Sequence, residues 1–260
     1  MTMTTKGIEF SGVSKSFTTR AGSVQALVDF DLTVDDGEFV AILGPSGCGK
    51  STALRIAAGL EHADAGGVRV GGSSPEKMIS AGSLGVAFQD NALLPWLSVA
   101  ANIALPYRLT SRPVDKARVD SLIDLVGLAD FSSHRPSQLS GGMRQRVSIA
   151  RSLVLSPRVL LLDEPFGALD AVTRHRLNVE FAGIIAKEAS TTLLVTHSVE
   201  EAVFLADRVV VMTGRPGRVK LVAPVAFGGQ RTKALMATPE FVQLVLQLTM
   251  ALDDDAGVDE

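Results

Sequence analysis

A chain of 260 residues supplies one large or two small domains, since domains run to roughly 100–200 residues. Its 25 Lys and Arg against 28 Asp and Glu leave a net charge of −3, without the basic surplus that a nucleic-acid partner demands. The single cysteine, Cys48, excludes an internal disulfide framework and any multi-cysteine metal site. The opening MTMTTKGIEF lacks the apolar core of a signal peptide. The longest apolar runs, Val159 to Leu162 and Val209 to Met212, fall far short of a membrane-spanning helix. The chain is therefore expected in the cytosol, and any attachment to a membrane has to come from another protein.

Taken in order, the N-terminal part reads as β-structure. Ile8 to Phe17 is one strand candidate. Val28, Phe30, Leu32 and Val34 alternate with polar residues, the period of a strand with one wet face. Asp36-Gly37 turns the chain into Phe39 to Leu43, a continuous apolar run suited to a strand buried on both faces. Further strands are expected at Gly67 to Val70 and Leu84 to Phe88.

From about Asn91 to Leu155 the periodicity becomes helical. Pro113 is expected at a first helical position, with Gly127 closing that helix. Ser140 is suited to cap a helix running through Leu155, with Met143, Val147, Ala150 and Val154 on one face. Buried-strand runs return at Val159 to Leu162, Thr192 to Val195 and Val209 to Met212, separated by helical stretches. That alternation implies a parallel α/β sheet with a helical segment inserted midway. A last amphipathic helix is expected around Pro239 to Leu252, ahead of a frayed acidic tail.

Three runs carry chemistry. Gly44-Pro45-Ser46-Gly47-Cys48-Gly49-Lys50-Ser51-Thr52 fits G-x-x-x-x-G-K-[ST], follows a buried strand and opens a helix, which is the context this phosphate loop requires. Its backbone N–H groups and helix N-terminus suit phosphate oxygens, Lys50 suits the β- and γ-phosphates, and Ser51 suits Mg²⁺. Val159 to Leu162 runs into Asp163 and Glu164, giving one carboxylate for the metal shell and a second to polarise an attacking water. Leu139-Ser140-Gly141-Gly142 at a helix start makes a second anion-binding corner. One nucleotide loop has little need of two such corners within one chain, so this one is assigned to a nucleotide held by another copy.

Together these runs, with GALD at Gly167–Asp170 and His197 after TTLLVT, resemble the nucleotide-binding subunit of an ABC transporter, from about Ile8 to Lys220. The resemblance implies a P-loop NTPase fold: a RecA-like core, an N-terminal antiparallel β-subdomain and an inserted α-helical subdomain. The division is expected to be a core lobe at about 1–90 and 156–225, a helical lobe at 91–155, and a C-terminal helix and tail at 226–260. It further implies ATP and Mg²⁺, adenine stacking by Phe17 with Val24 beside it, Gln89 at the metal or water, and His197 at the γ-phosphate. Ser140, Gly141, Gly142 and Asp170 would act across the junction of two copies. Ser198 departs from the family, which usually has an acid after the histidine.

The phrases FQDNALLPW, DEPFGALDAVTR and EEAVFLADRVVVMTGRPGR look most like the ATPases of nitrate, sulfonate and taurine importers. The resemblance implies ATP-driven closure of a homodimer at the cytoplasmic face of the membrane. Separate permease chains would dock near Leu93, Leu94, Pro95 and Trp96, with a solute-binding protein acting indirectly. An exporter motor or a non-transport ABC ATPase is the competing reading.

Overall fold

The apolar runs of the sequence assemble into two sheets. The computed structural model describes residues 6–19, 22–167, 169–227 and 231–253. The acidic tail from residue 254 on, and Ala168 of the GALD run, lie outside these. In the smaller sheet β1 (Lys6–Thr19) pairs antiparallel with both β2 (Gly22–Asp35) and β4 (Ala65–Val70). The alternation expected from Val28 to Val34 is interrupted by a bulge: Asp29 takes φ 45° and the β1–β2 register shifts nearby, so Leu27 rather than Val28 is buried with Phe30, Leu32 and Val34.

The larger sheet contains β3 (Phe39–Leu43), β5 (Leu84–Ala87), β6 (Val159–Asp163), β7 (Thr191–Val195), β8 (Arg208–Met212) and β9 (Val219–Pro224), in the order β5-β6-β7-β3-β8-β9. All neighbours are parallel except β8 and β9. The parallel sheet expected from the sequence is present, and β9, which the sequence reading did not include, adds one antiparallel strand at its edge. Only six residues separate β8 from β9, too few for the crossover of a dozen or more residues that a parallel neighbour needs.

The continuous apolar runs work because this sheet is buried on both sides. Val40, Ile42, Leu161, Leu193 and Val210 enter a core shared with β1, β2 and the helix after β3. Ala41, Leu43, Leu160, Leu162, Leu194 and Val211 enter a second core on the opposite face, beneath the helices that follow β5. Neighbouring residues of one strand point to opposite faces, so four or five consecutive apolar residues serve both cores at once.

Nine α-helices complete the described residues: α1 (Lys50–Ala57), α2 (Pro75–Ser80), α3 (Val99–Ile103), α4 (Leu105–Leu109), α5 (Lys116–Leu125), α6 (Gly141–Leu153), α7 (Ala171–Glu188), α8 (Val199–Leu205) and α9 (Pro239–Asp253). Three helix bounds differ from expectation. Residues 91–98 are not helical: the buried Asn102 amide binds this stretch, accepting from Leu94 N–H at 2.9 Å and donating to the carbonyls of Leu94, Leu97 and Ser98. Pro113 lies before α5, because the Asp115 carboxylate accepts from Arg118 N–H at 3.0 Å and caps the helix two residues later. Gly127, at φ 64°, closes it as expected. The last turn of α6 ends at Leu153, and Ser156 at φ 48° turns the chain into β6.

Candidate active site

The phosphate loop leaves the carboxyl end of β3, a central strand, where open α/β sheets gather their ligands. Gly47 and Gly49 sit at φ 76° and 107°, left-handed conformations that glycine takes without a Cβ clash. At Gly49 a Cβ would also lie 2.5 Å from the Ala26 carbonyl oxygen, so the loop is pressed onto β2. Lys50 opens α1 and is buried, its ammonium donating to Gly44 O at 2.7 Å and Pro45 O at 2.8 Å. Cys48 is buried beside it, and burial pushes its thiol pKa up, so it stays a neutral filler of the loop.

Asp163 ends β6, two places from β3 in the sheet, and this order brings it across to α1. The Ser51 hydroxyl donates to Asp163 Oδ1 at 2.9 Å. Burial raises the Asp163 pKa, against the lowering effect of the Ser51 bond. Glu164 follows at φ 47°, an uncommon conformation for a residue with a side chain, held by its N–H donating to Val195 O at 2.8 Å. Its Oε2 accepts from Gln89 Nε2 at 3.3 Å and lies 3.4 Å from His197 Nδ1. Gln89 comes from just beyond β5 and His197 from just beyond β7, so three strand ends converge on one carboxylate oxygen.

A cleft of about 540 Å³ is lined by Ser46, Gly47, Gly49, Lys50, Ser51, Thr52, Gln89, Glu164 and His197. Phe17 and Val24, far apart from this loop in sequence, are cross-strand partners in β1 and β2. The Phe17 ring is partly exposed, with Lys15 Nζ 5.4 Å from its centroid. Ser140, Gly141 and Gly142 do not line the cleft. Ser140 is exposed and caps α6, its hydroxyl accepting from Met143 N–H at 3.2 Å. Asp170 caps α7 by accepting from Thr173 N–H at 2.9 Å, and that bond lowers its carboxyl pKa.

Two groups around the site were not anticipated. Through the residues that flank His197, the buried Glu201 accepts from the Thr196 hydroxyl at 3.2 Å, and Thr196 Oγ1 in turn accepts from Ser198 N–H at 3.1 Å. Arg215 reaches the back of the phosphate loop, donating from Nε and Nη2 to Gly47 O at 3.1 and 2.9 Å. Arg215 stands between Gly214 and Pro216, and nothing in that local sequence points to the loop 168 residues earlier.

Comparison with known proteins agrees with this geometry. The ABC transporter family profile matches residues 27–167. The nitrate import ATP-binding protein of Synechococcus elongatus is 42% identical over 265 residues, covering 97% of this chain and 92% of that protein. The taurine import ATP-binding protein of Pseudomonas aeruginosa is 43% identical over 239 residues, covering 89% and 90%. Among solved structures, an ATP-binding cassette in a dimeric post-hydrolysis state with ADP and phosphate superposes with a TM-score of 0.77 at 29% identity, covering 85% of this chain and 99% of that one. A phosphate loop at a central strand, an acidic pair beside it and a profile spanning more than half the chain agree, and the chain belongs to the ABC transporter family.

Proposed function

We propose that this chain is the ATP-hydrolysing subunit of a membrane importer for a small anionic or zwitterionic solute such as nitrate, taurine or an aliphatic sulfonate, working as a pair of copies beneath separate permease chains. The import reading and the solute class rest on the printed names of the nitrate and taurine relatives. The pairing rests on the separation of the Ser140–Gly142 corner from the cleft that holds Lys50, together with the dimeric cassette that superposes on this fold. The observation that carries the hydrolytic reading is the convergence of Gln89, Glu164 and His197 at one oxygen beside the Ser51–Asp163 bond.

The donors around that bond fit Mg²⁺. Ser51 hydroxyl, Asp163 carboxylate and Gln89 amide oxygen are hard ligands, and the Ser51–Asp163 distance already places two of them together. Among the described residues no cluster of three or more His, Cys, Asp and Glu could hold a metal alone, which suits a cation that shares its shell with phosphates. When bound, Mg²⁺ supplies charge that neutralises the phosphate oxygens.

This chain's residues do the rest. The phosphate-loop N–H groups and Lys50 hold the β- and γ-phosphates in the cleft, while Phe17 and Val24 take the adenine. Glu164, its carboxylate aimed by Gln89, accepts a hydrogen bond from the attacking water and turns an oxygen lone pair toward the γ-phosphorus. His197 donates a hydrogen bond to the γ-phosphate and holds Glu164 on its other side. The partner's Ser140–Gly142 corner closes over the same phosphate, so its release lets the copies separate. Among the described residues no helix is long and apolar enough to cross a membrane, and the exposed Trp96 is proposed to meet the permease.

Glu164→Gln tests the reading. Hydrolysis is expected to fall about 100-fold or more, the usual scale for losing a general base, and ATP at millimolar concentration should hold the copies as a dimer, seen by light scattering. A variant that stays monomeric with ATP and permease present sinks the proposal.

A further inference from the structure

The turn between β8 and β9 has no role in the scheme above, yet it touches both the phosphate loop and β2. It is closed on itself: Thr213 N–H donates to Arg218 O at 2.9 Å, and Arg218 N–H to Thr213 Oγ1 at 3.0 Å. At its tip Arg215 places two donors on the Gly47 carbonyl. Two residues on, the buried Gly217 is stitched to β2, its N–H donating to Ala26 O at 3.0 Å and its carbonyl accepting from Val28 N–H at 3.3 Å. A Cβ on Gly217 would collide with the Cys48 carbonyl, so only a bare backbone lies this close to the phosphate loop. The outer end of β2 carries Val24, the partner of Phe17.

We propose that Arg215 is a positioning residue for nucleotide binding: its guanidinium clamps the Gly47 carbonyl, and the 214–217 turn sets the phosphate loop at a constant offset from the adenine end of β2. This rests on the nucleotide-site reading. A trans peptide is a rigid plane whose C=O and N–H oppose each other, so holding the Gly47 carbonyl also fixes the Cys48 N–H, which donates to Pro45 O at 3.4 Å and closes the turn of the phosphate loop. Glycine-rich loops lose much conformational freedom when they bind, and an external clamp lowers that loss beforehand. Arginine suits the task because its planar fork brings two N–H groups to one acceptor, which a lysine ammonium on a flexible stem does not.

Equilibrium binding of a fluorescent ATP analogue with Mg²⁺ to the full chain tests this. Arg215→Ala is expected to weaken binding about three- to tenfold, the scale of one net hydrogen bond, and Arg215→Lys to recover only part of it. Amide exchange across residues 44–51 of the unliganded protein should speed up in Arg215→Ala, and the unfolding midpoint without nucleotide should move by less than about 2 °C, as for an exposed side chain. Arg215→Gln serves as a second probe should the alanine variant misfold. Wild-type affinity in Arg215→Ala overturns the proposal, and so does full rescue by lysine, which would assign the effect to charge alone. Failure of the wild-type chain to bind the analogue would instead overturn the nucleotide-site reading.

Discussion

Ser51 and Asp163 stand 112 residues apart in the chain and are joined by a 2.9 Å hydrogen bond at the mouth of the phosphate loop. Neither side chain could be placed there by its own element: one opens α1, the other ends β6, and only the strand order β6-β7-β3 brings the two ends within reach. Asp163→Asn keeps the shape and the neighbouring bond while removing the charge that a divalent cation needs. Steady-state hydrolysis is expected to fall by about 100-fold or more, with the fold and its circular dichroism unchanged.

The Ser140 corner separates two jobs that one hydroxyl performs. Ser140→Ala removes the helix cap and is expected to destabilise the chain by about 1 kcal/mol. Ser140→Asp keeps a capping acceptor but sets a negative charge against the incoming phosphate. It should unfold at nearly the wild-type urea concentration yet fail to dimerise with ATP in the Glu164→Gln background. ATP-driven dimers of the aspartate variant would refute a role for this corner across the junction.

Glu201 makes stability depend on pH in a predictable direction. Burial raises its pKa from 4.5 to about 7, opposed by the Thr196 hydrogen bond and Arg174 and aided by the charge of Glu164. Between those two values the unfolded chain has released this proton and the folded chain still holds it. Stability from this group is therefore full below about pH 4.5 and is lost as pH rises to about 7. Glu201→Gln removes that dependence. Relative to wild type it should gain on the order of a few kcal/mol between pH 4.5 and 8, measured by urea unfolding at each pH. Equal differences at the two ends would contradict the assignment.

Trp96 is 65% exposed on the irregular segment that Asn102 pins in place. An indole left in solvent on a rigid loop is the type of anchor that interfaces favour. Trp96→Ala is expected to leave ATP hydrolysis by the free subunit within about twofold, since the ring is absent from the cleft lining. Co-purification with the permease should drop sharply, and unchanged assembly would place the docking surface elsewhere.

Much of this molecule is legible before folding. Val159 to Asp163 reads as a buried strand ending in an acid because its period and its boundary are local. The same holds for the glycine spacing from Gly44 to Gly49 and for the Ser140 cap. The errors are equally physical. Pro113 was a plausible helix start until Asp115 offered a better cap two residues on, and the stretch before Val99 lost its helical form to one buried amide, Asn102.

By itself the sequence determined the buried parallel strands, the phosphate loop, the acidic pair and the family to which they belong, since each is written in spacing over a few consecutive residues, whereas the edge strand β9 and the bulge in β2 went unread. Tertiary structure alone decided that Ser51 meets Asp163, that Gln89 and His197 share one oxygen of Glu164, that Glu201 lies buried against Thr196, and that Arg215 grips Gly47. Hydrogen bonds between distant strand ends depend on which strands are neighbours in the sheet and where each one stops. No periodicity along the chain encodes that order, because it is set by the packing of two cores against opposite faces of the same strands.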